Sequence, residues 1–468
     1  MESDTEGKPF DRMRRVLIYQ RAKNVDDTLA FGTRRNVYEI NYEWACHSMW
    51  PTTISPDDAA QRMTIGTAEY GTTKPYSASV LNISAMSYGA ISDNAILALS
   101  AGARLGNFYH NTGEGGVSAS HLKGGGDIVW NVGTGYFGCG GTDPQTGRRM
   151  FDPAVFRETL DESQGQIKMI ELKLSQGAKP GHGGILPKAK ITAEIASARR
   201  LTYPATVDCH SPAQHSAFSN AWEMVEFIAK VRELSGGLPV GIKLCVGEPG
   251  DIATLCKAMV ETGNGPDFIT VDGGEGGTGA APPEYSNSIG LPLEEGLAVV
   301  KNMLIGSNLR DKTRINASGR ICSGFSMVRT MALGADITCA ARAFMMSLGC
   351  IQALKCNTNK CPTGIATQNK DLQYGLDPEE KKNRVYYFHR KTVQAAAEIV
   401  GSIGHNRFSE ISSNDIMRRV KHGEVRTLSE HFPSVHPGCL LTGQGPARLQ
   451  EIWDMSGTEH VSTRRWIY

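Results

Sequence analysis

A regular alternation of strand-like and helix-like segments is the feature that most constrains how this chain folds. Eight short, mostly apolar runs have strand character, at residues 77–84, 128–136, 167–174, 206–209, 240–246, 267–272, 313–317 and 336–339. Helix-like segments lie between them, at residues 93–102, 152–163, 192–200, 222–234, 251–262, 293–304 and 323–333. Repeated βα units of this kind predict an α/β fold of the (β/α)8 TIM barrel type. An open doubly wound sheet is the alternative, but no G-x-G-x-x-G opens its first unit.

Glycine-rich loops follow two of these strands. The strand at 267–272 stops at five glycines, which are Gly273, Gly274, Gly276, Gly277 and Gly279. The strand at 167–174 runs into the loop KLSQGAKPGHGG. Glycines let backbone amides approach a flat or anionic ligand, and parallel α/β folds bind ligands at the carboxyl ends of their strands. We therefore predict a ligand site at this end of the barrel, although one such motif alone is equally compatible with a flexible loop.

The composition excludes several classes of protein. The 49 basic and 48 acidic residues give a formal charge of +1, so no overall field favours nucleic acid or an acidic membrane as partner. No apolar run approaches the roughly eighteen residues of a membrane-spanning helix, and residues 1–21 are charged, which predicts a cytoplasmic protein. Eleven cysteines without a secretory signal predict reduced thiols, available for metal binding or catalysis.

Three regions are predicted along the chain. Residues 1–60 form a lead-in layer packed on the barrel, and residues 61–370 form the barrel with its ligand loops. Residues 371–468 form a C-terminal helical extension, because residues 379–400 have the pattern of a long helix.

Cation-containing loops follow the seventh and eighth predicted strands, where barrels commonly hold a phosphate. Gly319 and Arg320 lie in the first loop, and Ala341 and Arg342 lie in the second. Their amides and guanidinium groups would suit a phosphate monoester such as FMN. Lys243 lies within the apolar strand GIKLCV, where it could stabilise charge that develops on a reduced flavin; a lysine extending to solvent is the alternative.

A further polar group surrounds one βα unit, comprising Lys173, Gln176, Lys179 and Arg199. Two cations there suit a dicarboxylate, although Arg199 alone would equally fit a solvated helix start. Glu114 lies among glycines in a strand-end loop, where it could orient a substrate or take a proton, or simply face water.

Three cysteines, Cys350, Cys356 and Cys361, lie within twelve residues, and a proline follows the last one. This spacing is similar to that of iron-sulfur proteins, and no fourth ligand of a structural zinc lies nearby. The three ligands indicate a cluster that lacks one iron corner. Two histidines after the strand at 206–209, His210 and His215, are predicted to have hydrogen-bonding or packing roles rather than to bind a metal.

Taken together, these residues resemble the flavin domain of the glutamate synthase family. The matching segments are MSYGAIS at 86–92, NTGEGG at 111–116, QGAKPGHGG at 176–184, DGGEGGTGAAP at 272–282 and GCIQALKCNTNKCPTGIATQ at 349–368. They occur in the family's order, and the cysteine spacing is that of its [3Fe-4S] centre. A short, stand-alone subfamily of FMN-binding glutamate synthase-like proteins is the closer match.

The resemblance implies an FMN-binding barrel with an adjoining [3Fe-4S] cluster. It implies that FMN is bound by Ala85, Met86, Ser87, Lys173, Lys243, Gly276, Gly277, Gly319, Arg320, Ala341 and Arg342, and the cluster by the three cysteines. The implied reaction condenses ammonia with 2-oxoglutarate and reduces the imine to L-glutamate. The implied catalytic residues are Lys179, Arg199, Glu114 and Gln176, of which Lys179 and Arg199 hold the carboxylates of the oxo acid.

Three departures from the family pattern affect the predicted function. Residue 2 is Glu2 and not the nucleophilic cysteine of an amidotransferase, so no glutaminase domain is predicted. Ile185 and His182 replace a glutamine and a glutamate of the large synthases, which leaves the identity of the oxo acid open. The phosphate loop ASGRICSG is one residue shorter and has one glycine fewer. Subfamily members often carry an upstream membrane anchor, so membrane association is a second expectation if Met1 is not the native start.

The leading prediction is an FMN- and iron-sulfur-dependent oxidoreductase acting on the carbon-nitrogen bond of an amino acid. Ammonia or an amine would come from outside, with a separate amidotransferase subunit as one source. Electrons would come from ferredoxin or a reductase subunit, since the chain has no dinucleotide fingerprint, and a homo-oligomer is expected. Two alternatives are an FMN barrel oxidising a 2-hydroxy acid, with His210 or His215 as base, and a non-catalytic electron-transfer subunit.

Overall fold

A closed barrel of eight parallel strands forms the centre of the computed structural model, which describes residues 8–29, 31–54, 61–143, 145 and 149–457. The strands are β1 (Leu81–Ile83), β2 (Tyr109–Asn111), β3 (Asp127–Val132), β4 (Ile167–Lys173), β5 (Val240–Leu244), β6 (Phe268–Asp272), β7 (Arg314–Ser318) and β8 (Ile337–Ala340). Each strand pairs in parallel with the next, and β8 returns to β1. The predicted (β/α)8 fold is confirmed.

A helix follows every barrel strand. These helices are α1 (Asp93–Gly106), α2 (Ala119–Gly124), α3 (Pro153–Glu162), α4 (Ala221–Leu234), α5 (Pro249–Thr262), α6 (Leu293–Gly306), α7 (Gly324–Ala332) and α8 (Arg342–Ser347). Local sequence determines where they start. Asp152 accepts hydrogen bonds from the amides of Ala154 and Val155, and Pro153 occupies the first turn, as the Asp-Pro pair predicts.

One predicted barrel strand is wrong. Residues 206–209 do not enter the barrel; Cys209–His210 instead pairs antiparallel with Ile185–Leu186 in the loop that follows β4. The missing strand is β2, whose three residues include a histidine and an asparagine and therefore lack an apolar run. The predicted strand at 77–84 is also divided, because Tyr76–Ser79 pairs with Arg62–Ile65 and only Leu81–Ile83 joins the barrel.

That hairpin is attached to the amino-terminal end of the barrel through a buried carboxylate. Asp267, directly before β6, accepts hydrogen bonds from Thr72 Oγ1 at 2.8 Å and from the amide of Thr67 at 3.1 Å. The Arg232 guanidinium donates to the other oxygen of Asp267 at 3.0 and 3.1 Å, and both side chains are almost fully buried. Because this end is closed by structure, the opposite end is left for ligands.

Segments from both ends of the chain pack outside the barrel. Helix Arg12–Ala22 and the long helix Pro378–Ile403 contact each other, and Glu43–Ala45 pairs with Ile416–Lys421, which also pairs with Glu424–Thr427. The region predicted as a helical extension therefore contributes two strands as well. Residues 1–7, 55–60 and 458–468 of the two predicted terminal regions, with Met1 and Glu2, lie outside the described residues.

The remaining elements are short. They are helices Ala193–Arg199, Pro283–Ser288, Lys370–Tyr374, Leu428–His431 and Ala447–Met455, and the hairpin of Gly140–Thr142 with Arg149–Phe151. Within the described part of the chain, no helix has the length and apolar character needed to cross a membrane.

Candidate functional site

A cleft opens at the carboxyl ends of β1 and β4 to β8, the end at which barrels place their working residues. It is lined by nine of the predicted site residues, which are Ala85, Gln176, Lys243, Gly276, Gly277, Gly319, Arg320, Ala341 and Arg342. Five strand-end loops and strand β5, far apart in the sequence, thus meet at one place.

Two arginines lie side by side in this cleft. Arg342 donates to the backbone carbonyl of Glu275 at 2.9 Å, and its guanidinium lies 5.1 Å from the centre of the Phe10 ring. Burial, followed by the positive charge of Arg320, lowers the pKa of Arg342 to about 10. Two adjacent guanidinium groups favour an anion between them, and a phosphate would satisfy both by charge-assisted hydrogen bonds.

Glycines keep the space around these arginines open. A Cβ atom on Gly277 would lie 2.8 Å from a guanidinium nitrogen of Arg342. A Cβ on Gly319 would lie 3.0 Å from Leu293 and 3.1 Å from a carboxylate oxygen of Glu275. Both distances are shorter than ordinary contacts, so a side chain at either position would displace its neighbours and narrow the cleft. Paired cations in a cradle kept free of side chains fit the phosphate end of a flavin mononucleotide.

Lys243 reaches the same cleft from β5. Its ammonium lies 3.3 Å from Asp272, and Glu171 is a second anionic neighbour. Burial lowers the pKa of Lys243, but these two carboxylates raise it above its ordinary value, so the side chain stays protonated. A buried cation that faces a cleft fits the edge of a flavin on which negative charge develops.

Beside the cleft, Glu114 forms a buried ion pair with Lys173. The Lys173 ammonium donates to Glu114 Oε2 at 2.8 Å, and Ser211 Oγ donates to the same oxygen at 3.2 Å. Burial raises the pKa of Glu114, but Lys173, followed by Arg199 and Lys179, lowers it below its ordinary value. Glu114 is therefore ionised, and three cations surround one carboxylate. We call Glu114, Lys173, Lys179 and Arg199 the cation cluster.

None of the four residues of the cation cluster lines the cleft, and Lys179 and Arg199 are the most deeply buried of them. Lys179 is 1% exposed and donates to the carbonyl of Gly183 at 2.8 Å. Arg199 donates to the carbonyl of Tyr88 at 3.0 Å and lies over the Phe137 ring. Its Nε is buried and has no hydrogen-bond partner among the described residues, so the cluster retains an unused donor.

The three cysteines line one cavity, next to the cleft. Met345, Met346 and Ile365 give the cavity an apolar wall, and Arg342 separates it from the cleft. Among the described residues, no three His, Cys, Asp or Glu side chains are close enough to share a single metal ion. In an iron-sulfur cluster each cysteine binds a different iron, so three thiols spread around one apolar cavity fit a cluster better than one ion.

The local backbone favours the thiolate of Cys361. Burial raises the pKa of this thiol, but the Thr363 hydroxyl and the amides of Thr363, Ile365 and Ala366 lower it below its ordinary value. Burial raises the pKa of Cys350 to about 11 and also raises that of Cys356. These two thiols therefore depend on a bound metal to deprotonate them.

Some predicted residues lie beside the cleft and not in it. Met86 and Ser87 lie under the backbone of Gly113, where a Cβ would lie 2.6 Å from the Ser87 amide.

Two residues of the site were not predicted from the sequence. Phe10 comes from the lead-in region and lines the cleft, and Ser211 binds Glu114 from the loop beyond β4. Neither belongs to a motif, so only the folded chain brings them to the site.

Neither of the two candidate histidine bases lines the cleft. His215 is buried, with its ring nitrogens 3.0 Å from the Tyr136 hydroxyl and 3.0 Å from the carbonyl of Lys173. Burial lowers the pKa of His215 to about 4. His210 is exposed on the loop strand that pairs with Ile185–Leu186. The predicted packing role fits His215.

Most of the chain matches a known protein family. Residues 26–406 match a family model described as a conserved region in glutamate synthase. A glutamate synthase large subunit-like protein, YerD, of Bacillus subtilis is 39% identical over 80% of this chain and 69% of its own length. An archaeal-type glutamate synthase [NADPH] of Thermotoga maritima is 33% identical over 72% of this chain and 62% of its own length.

Among solved structures, a flavocytochrome b2 variant with sulfite bound is similar in fold, with a TM-score of 0.47 and 10% identity, covering 86% of this chain and 78% of that one. The matched region of this chain spans about two thirds of the length of the two curated relatives named above. The family model and these relatives show that this chain belongs to the glutamate synthase family.

Proposed function

We propose that the cleft binds FMN and that the three-cysteine cavity binds a [3Fe-4S] cluster. Arg320 and Arg342 would hold the phosphate, with the glycines at 276, 277 and 319 leaving room for it, and Lys243 would face the flavin ring. Cys350, Cys356 and Cys361 would each bind one iron. When bound, the flavin supplies a hydride and the cluster transfers single electrons.

We further propose that the substrate is a 2-oxo dicarboxylic acid, which combines with ammonia or a small amine. The observation that carries this proposal is the charge of the cation cluster, three cations around one ionised carboxylate in a nearly water-free place. Such an excess is unfavourable without a ligand, and a dianion would neutralise it. 2-Oxoglutarate has the required two carboxylates and one keto group, and the product would be L-glutamate or an N-substituted relative.

The chain's own residues would then have distinct tasks. Lys179 and Arg199 would bind the carboxylates, for which Arg199 still has a free buried donor, and Gln176 would contact the substrate from the cleft. Glu114 is held ionised by Lys173, so it can accept a hydrogen bond from neutral ammonia or an amine and orient its lone pair as it adds to the keto carbon. Loss of water from the adduct gives an imine, and two electrons with protons convert the imine to the amino acid.

The test uses anaerobically purified protein with both cofactors and a reduced artificial electron donor. It is offered ammonium with a dicarboxylic, a short monocarboxylic or a branched-chain apolar 2-oxo acid, and amino-acid formation is measured. We expect the dicarboxylic acid to be preferred, and Glu114→Gln to lower the rate while flavin content stays the same. Preference for the apolar acid would refute the charge argument.

The same measurement distinguishes the proposed function from the two alternative functions. A 2-hydroxy acid oxidase would be reduced by hydroxy acids without ammonium, yet neither His210 nor His215 lies in the cleft to serve as base. A pure electron-transfer subunit would form no amino acid, although its flavin would still bleach. The electron donor is proposed to be ferredoxin or a reductase subunit, with ammonia delivered in solution or by an amidotransferase.

A further inference from the structure

Four lysines are buried among the described residues, and one of them differs from the rest. Lys173 and Lys179 have Glu114 as an anionic neighbour, and Lys243 has Asp272. Lys190, which is only 3% exposed, has no carboxylate among its electrostatic neighbours in the part of the chain that the structure describes. A buried ammonium without a counter-charge is costly, so something else must compensate it.

The contacts of Lys190 all point to the cysteine loop. Its ammonium donates to the carbonyl of Cys356 at 3.0 Å and to the carbonyl of Ala366 at 3.4 Å. Its electrostatic neighbours are the sulfur atoms of Cys356 and Cys361. Two carbonyl dipoles orient the ammonium, and only thiolates at these two positions would neutralise its charge.

We propose that Lys190 is a positioning residue that holds a fixed positive charge beside the iron-sulfur cluster and makes the cluster easier to reduce. This inference rests on the proposed function, because it requires the cluster. Reduction adds one electron from a one-electron donor and breaks no bond, so the thiolate-bound unit becomes more negative by one charge. A cation a few ångströms away in a low-dielectric site favours the more negative state.

The other positive charges near the cysteine cavity do not provide a buried cation bonded to a cluster ligand. Arg342 lines the cavity as well, but its guanidinium binds the carbonyl of Glu275 and lies over Phe10, towards the cleft. Lys355 and Lys360 on the cysteine loop are exposed, so water screens their charge. Lys190 is thus the buried cation whose hydrogen bonds fix it to a cluster ligand.

The position of Lys190 also connects two parts of the site. It ends the segment that starts at Gln176 and includes Lys179, so one loop supplies residues to the cleft and to the cation cluster and contacts the cysteine loop. A change in this loop would therefore reach both the proposed oxo-acid site and the proposed cluster.

The test compares three variants of the cofactor-loaded, full-length chain. Lys190→Gln removes the charge and keeps a hydrogen-bond donor, and Lys190→Arg keeps the charge. Lys188→Gln is the matched control, because it makes the same substitution at an exposed lysine two residues away. The cluster signal is followed by electron spin resonance during a mediated redox titration with dithionite, and flavin absorbance is followed in parallel.

We expect Lys190→Gln to disfavour cluster reduction about tenfold, a shift of about 59 mV to lower potential. In Lys190→Arg and Lys188→Gln, the equilibrium constant for cluster reduction should stay within about twofold of the wild-type value. The flavin content should be unchanged. If Lys190→Gln binds no cluster while Lys190→Arg does, the charge is needed to hold the thiolates, which also supports the proposal.

Three results would overturn the proposal for Lys190. One is an unchanged cluster potential in Lys190→Gln, which would leave the proposed function intact. A second is cluster loss in both Lys190 variants, which would mean that the side chain acts only through packing. The third is a wild-type chain that binds no cluster under reconstitution, which would overturn the cluster assignment of the proposed function together with this inference.

Discussion

Replacing Glu114 by glutamine should destabilise the folded protein more than removing one of the cations around it. Glu114→Gln leaves Lys173, Lys179 and Arg199 close together without a carboxylate, and the Lys173–Glu114 pair is only 9% and 12% exposed. Removing one partner of such a pair costs about 3–5 kcal/mol, because the other charge stays buried and unpaired. Lys179→Met loses one hydrogen bond, to Gly183, worth about 1 kcal/mol. It also removes a buried charge that Glu114 attracts and Lys173 repels, so the loss of attraction is partly offset.

The assay is urea unfolding followed by circular dichroism, with cofactor content matched between variants. Glu226→Gln is the control, because it makes the same chemical change at an exposed position on α4. We expect a loss of about 3–5 kcal/mol for Glu114→Gln and about 1 kcal/mol for Lys179→Met. The control should stay within about 0.5 kcal/mol of the wild type. Equal losses for the two cluster variants would refute the idea of an unbalanced positive charge.

The difference between wild type and Glu114→Gln should also depend on pH in a defined direction. The pKa of Glu114 is lower in the folded protein than its ordinary value of 4.5. Its charge therefore stabilises the fold fully at pH values above 4.5, and this contribution is lost as the pH falls further, through the folded pKa. If the stability difference between wild type and Glu114→Gln grew as the pH was lowered, this result would contradict the ionised state assigned to Glu114.

Three further predictions concern other parts of the molecule. Asp267→Asn should cost about 3–5 kcal/mol in urea unfolding, because Arg232 stays buried without its partner, and should leave flavin affinity unchanged. Gly277→Ala should displace Arg342 and weaken FMN binding roughly tenfold in flavin fluorescence titrations. Riboflavin, which lacks the phosphate, should bind Gly277→Ala and wild type alike, and an equal loss for both flavins would contradict the phosphate role. Cys356→Ser should lose the cluster signal and keep the flavin; an unchanged signal would exclude this cysteine as a ligand.

The barrel could be predicted because most of its strands lie in mostly apolar runs, several of which are followed closely by glycine. β2 escaped prediction since its three residues depend on neighbours for their strand character: Asn82 accepts a hydrogen bond from the amide of Tyr109, and Asn111 binds Glu171 inside the barrel. Residues 206–209 have the local pattern of a strand, but their partner is another loop. Local sequence therefore indicates which segments are extended, and packing decides where each one pairs.

The candidate site could likewise be predicted only in part. Cations and glycines at strand ends were predictable, because a barrel brings those ends together whatever the loops do. The orientation of side chains was not, since it depends on contacts from distant parts of the chain. Arg199 faces the carbonyl of Tyr88, and Phe10 reaches the ring contact with Arg342 from near the amino terminus. Such contacts join residues that no local motif connects.

Glycine contacts link the cleft to the cysteine cavity, and they limit how the two proposed cofactor sites can vary. A side chain on Gly177 would collide with the carbonyl of Gly273, and a Cβ on Gly279 would lie 3.0 Å from the Cβ of Cys356. The loop after β4 therefore packs directly on the loop after β6, and the latter packs on the cysteine loop. Since neither contact has room for a side chain, a shift of one loop must move the other two. With both proposed cofactors bound, backbone packing would therefore set the distance between them, whereas Lys190 would act on the energy of an electron on the cluster.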